Sequence, residues 1–223
     1  MHPESSRSSL IQTAPLLPPF KQSCNTPLAD YIDQMNDAII RNALYRKILR
    51  RNISCDSTLV VDEMGLLHGN FRADIAVVNG HLAGYEIKSD EDNLRRLDKQ
   101  ASAYNSVFDR VNIVVGQKHA KPVLKKVPNW WGVLVAHEGK RGGISFETVR
   151  RGRFNHAVDP IAVAHLLWRN EVVSLLETHN VKRKVLRSPR NELYVVLAQL
   201  IPLRELRCHV RTCLRRRTEW RHP

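Results

Sequence analysis

In the stretch HGNFRADIAVVNGHLAGYEIKSD, residues 68 to 90, Asp74 and then Glu86 and Lys88 stand inside the most strand-like apolar segment of the chain. Moving a lone carboxylate or ammonium out of water is costly, so charges in such a place are paired, metal-bound or solvent-facing. Strand side chains alternate between faces. Ala73, Ile75 and Val77 therefore share one face with Asp74 opposite, and Tyr85 and Ile87 share a face with Glu86 and Lys88 opposite. Asn79-Gly80 between the two runs signals a hairpin. A strict two-residue turn there gives an odd register and puts Asp74 and Glu86 on opposite faces. A three-residue Val78-Asn79-Gly80 loop, with Gly80 left-handed as a bulge, gives an even register and the same face. The sequence permits both.

If the two carboxylates converge they repel, and a hard divalent cation relieves the repulsion. Oxygen ligands favour Mg2+, or Mn2+, over zinc. Lys88 would add a positive charge beside the metal, and such a set suits phosphodiester hydrolysis through a polarised phosphate and an activated water.

The elements that must hold these residues follow from periodicity. Apolar residues at helical spacing between 29 and 50 (Ile39, Ile40, Ala43, Leu44, Ile48) predict a helix. STLVVDEMGLL predicts a strand ahead of the hairpin, and SDEDNLRRLDKQASAYNSVF a crossover helix whose early acids cap it. VNIVV and WGVLVAH read as strands and GISFETVR as an edge strand. Three helices follow: IAVAHLLWRNEVVSLLETH, NELYVVLAQL and LRELRCHVRTCLRRR. The expected class is α/β, with an antiparallel hairpin feeding a crossover helix and a helical C-terminal extension. The domain reading is a mobile segment at 1–28, an α/β core at 29–150 and a basic helical region at 151–223.

The chain has 223 residues, 43% of them hydrophobic, enough for one domain with an appendage. No long apolar run suggests a membrane span, and the start lacks the pattern of a secretion signal. Cys24, Cys55, Cys208 and Cys213 form no C-x-x-C pair, which supports neither a disulfide framework nor a zinc site; a cytoplasmic location is expected. His68, His81, His119 and His137 lie at no ligand spacing from one another and receive no role. Net charge is +13, and beyond residue 180 twelve Lys/Arg face three Glu. Such a face attracts polyanions. In the last helix Arg204, Arg207, Arg211 and Arg215 recur beside Leu203, Leu206, Val210 and Leu214, a guanidinium row that could dock phosphates or an acidic protein. Trp130 and Trp131 read as edge-of-core packing rather than a base-stacking platform.

The Asp74 and Glu86-Ile87-Lys88 series resembles the PD-(D/E)XK nuclease superfamily, whose core is a helix, a three-stranded antiparallel meander, a helix and a further strand. The resemblance implies that Asp74, Glu86 and the Ile87 carbonyl hold metal and that Lys88 assists the attacking water. Ala73 stands where the superfamily's proline would. Gln100 and Tyr104 resemble a Gln-x-x-x-Tyr element placed beside the metal in exonuclease-like branches, although Tyr104 also belongs to the apolar stripe of its helix. Of the upstream acids Asp37 and Glu63, Glu63 is preferred as a supporting residue. More narrowly, residues from about Asp37 to Arg221 resemble small bacterial and phage proteins known by a locus-tag name and regarded as nuclease-like. RADIAVVNG, GYEIKSD, LRRLDKQ, VPNWWGVL and AHLLWRNEV carry that resemblance.

The function implied is a Mg-dependent deoxyribonuclease, with Asp74, Glu86, Lys88, Glu63 and Gln100 in the site and the four arginines and Tyr104 on nucleic acid. The competing reading is an inactive nucleic-acid-binding or adaptor protein on the same fold, in which Lys88 pairs with both carboxylates. A third is a regulatory partner in a larger assembly, with cleavage unleashed only in the complex. A protein partner or homodimer fits any of these.

Overall fold

The described residues, 35–217 of a computed structural model, arrange their apolar runs into a six-stranded sheet whose strands lie side by side in chain order. They are β1 (Leu59–Leu66), β2 (Phe71–Val78), β3 (Leu82–Lys88), β4 (Arg110–Val115), β5 (Gly132–Glu138) and β6 (Ile144–Arg150). The segment 1–28, expected to be mobile, and Cys24 lie outside the described residues. β1 to β3 form an antiparallel meander, β3, β4 and β5 run parallel, and β6 returns antiparallel along one edge. A parallel step needs a crossover; α3 (Leu97–Val107) supplies it between β3 and β4. Before the sheet come α1 (Asp37–Lys47) and α2 (Arg50–Ile53), and before β5 the short α4 (Ala120–Val123). After it come α5 (Pro160–Ala164), α6 (Arg169–Thr178), α7 (Arg183–Leu186), α8 (Arg190–Leu200) and α9 (Leu203–Arg216).

Strand alternation sorts the core into two layers. Ile75, Val77, Ile87, Val114 and Leu134 pack with Ile40 and Leu44 of α1. Val111, Ile113, Val115, Val133 and Val135 belong to the layer that holds Leu97 and Tyr104 of α3 and Leu176, Leu197 and Leu206 of the C-terminal helices. Burial on both faces explains why β2, β4 and β5 are nearly continuous apolar runs. β3 passes so close to the end of α3 that a Cβ on Gly84 would stand 2.8 Å from the Phe108 ring. Trp131 is fully buried and its indole N–H donates to Asn105 at 2.8 Å, as core packing requires.

Two expected helices are corrected. The crossover helix starts at Leu97, not Ser89, and no side chain caps it. The acids meant to cap it fold the preceding loop instead: Asp92 accepts the Ser89 N–H and O–H at 2.8 and 2.7 Å, and Asp90 accepts the Lys118 N–H at 2.8 Å. The helix expected through IAVAHLLWRNEVV is two, broken at Trp168, which is extended (φ −75°, ψ 157°) and donates its N–H to Glu171 at 2.7 Å.

α9 is held by its apolar stripe (Leu206, Val210, Leu214) and by charge. Asp109, 2% exposed, accepts the Leu82 N–H at 2.8 Å, and its other oxygen lies 3.0 Å from Arg207 Nε. Arg211 approaches the same carboxylate at 3.9 Å. Removing one member of a buried ion pair strands the other and costs about 3–5 kcal/mol. Asp109→Ala is expected to lower unfolding free energy in urea by about 3 kcal/mol, whereas Arg204→Ala on the exposed side should change it by under about 0.5 kcal/mol. Equal effects of the two would show that the pair does not anchor α9.

Candidate functional site

β2 and β3 pair in the even register, with Ile75 opposite Tyr85 and Val78 opposite Leu82. Asp74 and Glu86 therefore share a face. The turn is a third arrangement, neither of the two weighed: it spans Asn79, Gly80 and His81, with the Asn79 side chain accepting the His81 N–H at 3.1 Å, and Gly80 is not among the positive-φ residues.

Glu86 is completely buried, yet both of its oxygens are satisfied. Oε1 accepts from Gln100 at 2.6 Å and from the Lys88 ammonium at 2.5 Å, and Oε2 accepts from the Tyr104 hydroxyl at 2.6 Å. Gln100 and Tyr104 reach it together because residues four apart share a helix face. Tyr104 also accepts the Asp74 N–H at 3.2 Å, so one phenol ties α3 to both hairpin strands. Asp74 accepts the Ile87 N–H at 2.6 Å. Burial, and then Glu86, push the Asp74 carboxyl up to about 7. Burial pulls the Lys88 ammonium down, but Glu86 and Asp74 outweigh it and hold the group above its usual value. Burial and the two carboxylates raise the Tyr104 hydroxyl well above its usual value.

Glu63 lies level with Asp74 in the β1–β2 register and lines the same cleft, with Arg41 between the two carboxylates. Its backbone is left-handed (φ 52°), and its carboxylate pairs with Arg41 at 3.2 Å and Arg72 at 3.8 Å. Arg41 on α1 is a hub that the sequence reading missed. It also holds Asp37 at 3.1 Å, Asp62 at 3.2 Å and the Asp74 carbonyl at 2.8 Å. Its spacing of four from Asp37 was the available signal.

The acids expected to hold magnesium or manganese are engaged by groups of the chain itself. The Glu86 oxygens are occupied by Lys88, Gln100 and Tyr104, Asp74 is bound by the Ile87 amide, and Glu63 is drawn off by two arginines. Among the described residues no group of three or more His, Cys, Asp or Glu is placed to hold a metal. The cleft beside the network, about 520 Å³, is lined by Arg72, Lys88 and Arg96 but equally by Glu63, Asp74 and Asp92, so it has no strong preference for anions.

The residues expected on nucleic acid divide. Tyr104 is fully buried and cannot touch a ligand's bases. Arg207 and Arg211 are turned inward to Asp109. Arg204 and Arg215 are exposed, the latter donating to the Ser57 carbonyl at 3.1 Å.

A six-stranded mixed α/β sheet, with a buried carboxylate network at its meander and a helical C-terminal region, defines the class of protein. The family model of the Bacteriophage P4 protein cII matches residues 31–222, and the chain belongs to that family. It is 30% identical over 182 residues to Protein cII of Enterobacteria phage P4, covering 80% of this chain and 66% of that protein, so it spans just under two thirds of the relative's length. No solved structure matches.

The match overturns the nuclease reading: neither the family nor the relative points to a PD-(D/E)XK nuclease, and the Mg-dependent deoxyribonuclease activity inferred from that resemblance falls with it. No helix among the described residues is long and apolar enough to cross a membrane.

The buried carboxylates should still be visible in stability. Asp74 has a folded pKa of about 7 against an ordinary value of 3.8, so between those limits the native state binds the extra proton. Stability contributed by this group is then lost as pH rises from about 4 to about 7. Asp74→Asn should be the more stable protein at pH 8, by roughly 2 kcal/mol after discounting for partial exposure, with the difference vanishing near pH 4. Urea unfolding of both proteins across that range measures it; parallel pH profiles would refute the assignment.

Proposed function

We propose that this chain is a non-catalytic nucleic-acid-binding protein of the cytoplasm. The observation that carries the reading is the segment Lys182–Arg190, which exposes Lys182, Arg183, Lys184, Arg187 and Arg190 with no acid among them. Arg169 ties that segment to α6 by donating to the carbonyls of Ser188 at 2.9 Å and Leu186 at 3.3 Å. Beside it stands Trp168, 36% exposed, with the Arg217 guanidinium 4.2 Å above its ring. A broad cleft of about 730 Å³ joins Trp168, Arg169 and Arg190. A cleft with two arginines and an aromatic, next to an exposed basic segment, suits phosphate docking with base stacking. The inward commitment of Lys88 to Glu86 supports the non-catalytic half of the reading.

Sequence inspection counted these charges but assigned the docking row to α9. Trp168 was hidden inside a supposed helix.

Fluorescence anisotropy with duplex DNA, single-stranded DNA and RNA between 50 and 200 mM salt tests the proposal. Binding should persist in EDTA without cleavage. The triple variant K182A/R183A/K184A should bind at least tenfold more weakly at low salt and flatten the log–log salt slope by about two to three. Lack of binding to every nucleic acid, with an acidic protein bound through the same lysines, would replace this reading with that of a protein adaptor.

A further inference from the structure

A second cavity, of about 290 Å³, lies between the β1–β2 connection and the C-terminal helices. It is lined by His68, His165, Trp168 and Arg190, with Met64 and Leu214 among its apolar residues. No carboxylate is among its described lining residues. The two imidazoles stack with centroids 4.1 Å apart, and Tyr194 completes the cluster at 5.3 Å from His68 and 4.8 Å from His165. Arg190 donates to the Tyr194 hydroxyl at 2.5 Å, which itself donates to the Leu167 carbonyl at 2.8 Å.

Two features are hard to explain as packing alone. Leu67, His68 and Gly69 are successive left-handed residues (φ 49°, 63° and 86°), a conformation that is strained at a non-glycine position. The strain holds His68 over His165. His165 Nδ1, in turn, is buried with no hydrogen-bond partner among the described residues.

We propose that this cavity binds a nucleoside monophosphate, free or at the end of a strand, with the phosphate against Arg190 and the histidine pair and the base against Trp168 and the apolar wall. The volume is near the lower end of small-ligand sites, about 300 Å³. A phosphate dianion suits a site with one guanidinium and two imidazoles and no opposing acid. Burial, then Arg190, lowers the His68 pKa; burial, His68 and Arg190 lower that of His165 against the opposing pull of Asp159. Arg217 also lines the cavity, but Glu171 holds it at 2.5 Å. Both rings are thus biased toward the neutral form, an anion favours their protonation, and affinity rises as pH falls.

The cavity shares Trp168 and Arg190 with the proposed polyanion groove, and a free nucleotide, which is too short to span that groove, tests it separately. Isothermal titration of the full chain with AMP, adenosine and inorganic phosphate at pH 6.5 and pH 8 would be compared for wild type, R190Q and H68N. Asparagine tolerates the left-handed backbone at position 68. AMP should bind at least tenfold tighter than adenosine, and R190Q should lose at least tenfold. H68N should show a smaller pH dependence than wild type, a comparison in which the nucleotide's own titration cancels. Displacement of AMP by a 5′-phosphorylated but not a 5′-hydroxyl oligonucleotide would place the ligand at a strand end; displacement by neither would make it a free nucleotide. AMP binding absent at millimolar concentration, or undiminished in R190Q, would overturn the proposal.

Discussion

The structure depends on satisfying one buried carboxyl group. Glu86 lies in the sheet and is fully buried, and a polar group survives there only with hydrogen-bond partners at each of its atoms. Its donors come from two elements: Lys88 from the same strand, and Gln100 and Tyr104 from the crossover helix. Satisfying this carboxyl therefore fixes where α3 sits above the sheet. Tyr104 extends the constraint to β2 through the Asp74 amide, and Asp74 extends it back to β3 through the Ile87 amide. Helix, hairpin and crossover are locked through one polar cluster, which a merely apolar interface would specify less sharply.

The surplus of arginine acquires meaning once its members are sorted by what they touch. Arg41 gathers the acids of α1 and β1, Arg207 and Arg211 meet Asp109, and Arg217 clasps Glu171. The planar guanidinium can meet several acceptors at once, which suits these internal joints. The lysine-containing run from Lys182 lies outside and faces solvent. Net charge, read alone, cannot separate the two populations. Only the second has the accessibility that binding a polyanion requires.

Much of the fold was legible because alternation and helical spacing are strong signals. The strands fall where the pattern places them, and β6 is at an edge as read. The hairpin register was left open because Asn79-Gly80 accepts more than one turn, and the tertiary contacts of Asp74 and Glu86 decided it. The acids after β3 were misassigned because Asp is equally at home capping a helix or folding a loop. The row on α9 is split because Asp109, almost a hundred residues away in sequence, claims two of its members and leaves Arg204 and Arg215 exposed. Chemistry was the least legible part: a carboxylate pair beside a lysine has the same spelling whether it serves a metal or a structural network.

Gly84 and Phe108 set the scale of that distinction. The gap between strand and helix end is narrower than a methyl group allows, so the helix rests on bare backbone. Tyr104 and Gln100 are one and two turns further up the same rigid rod. A missing side chain at one end thereby acts as the spacer that sets bond lengths at the other, and the electrostatics of the sheet's centre are calibrated by an atom that is not there.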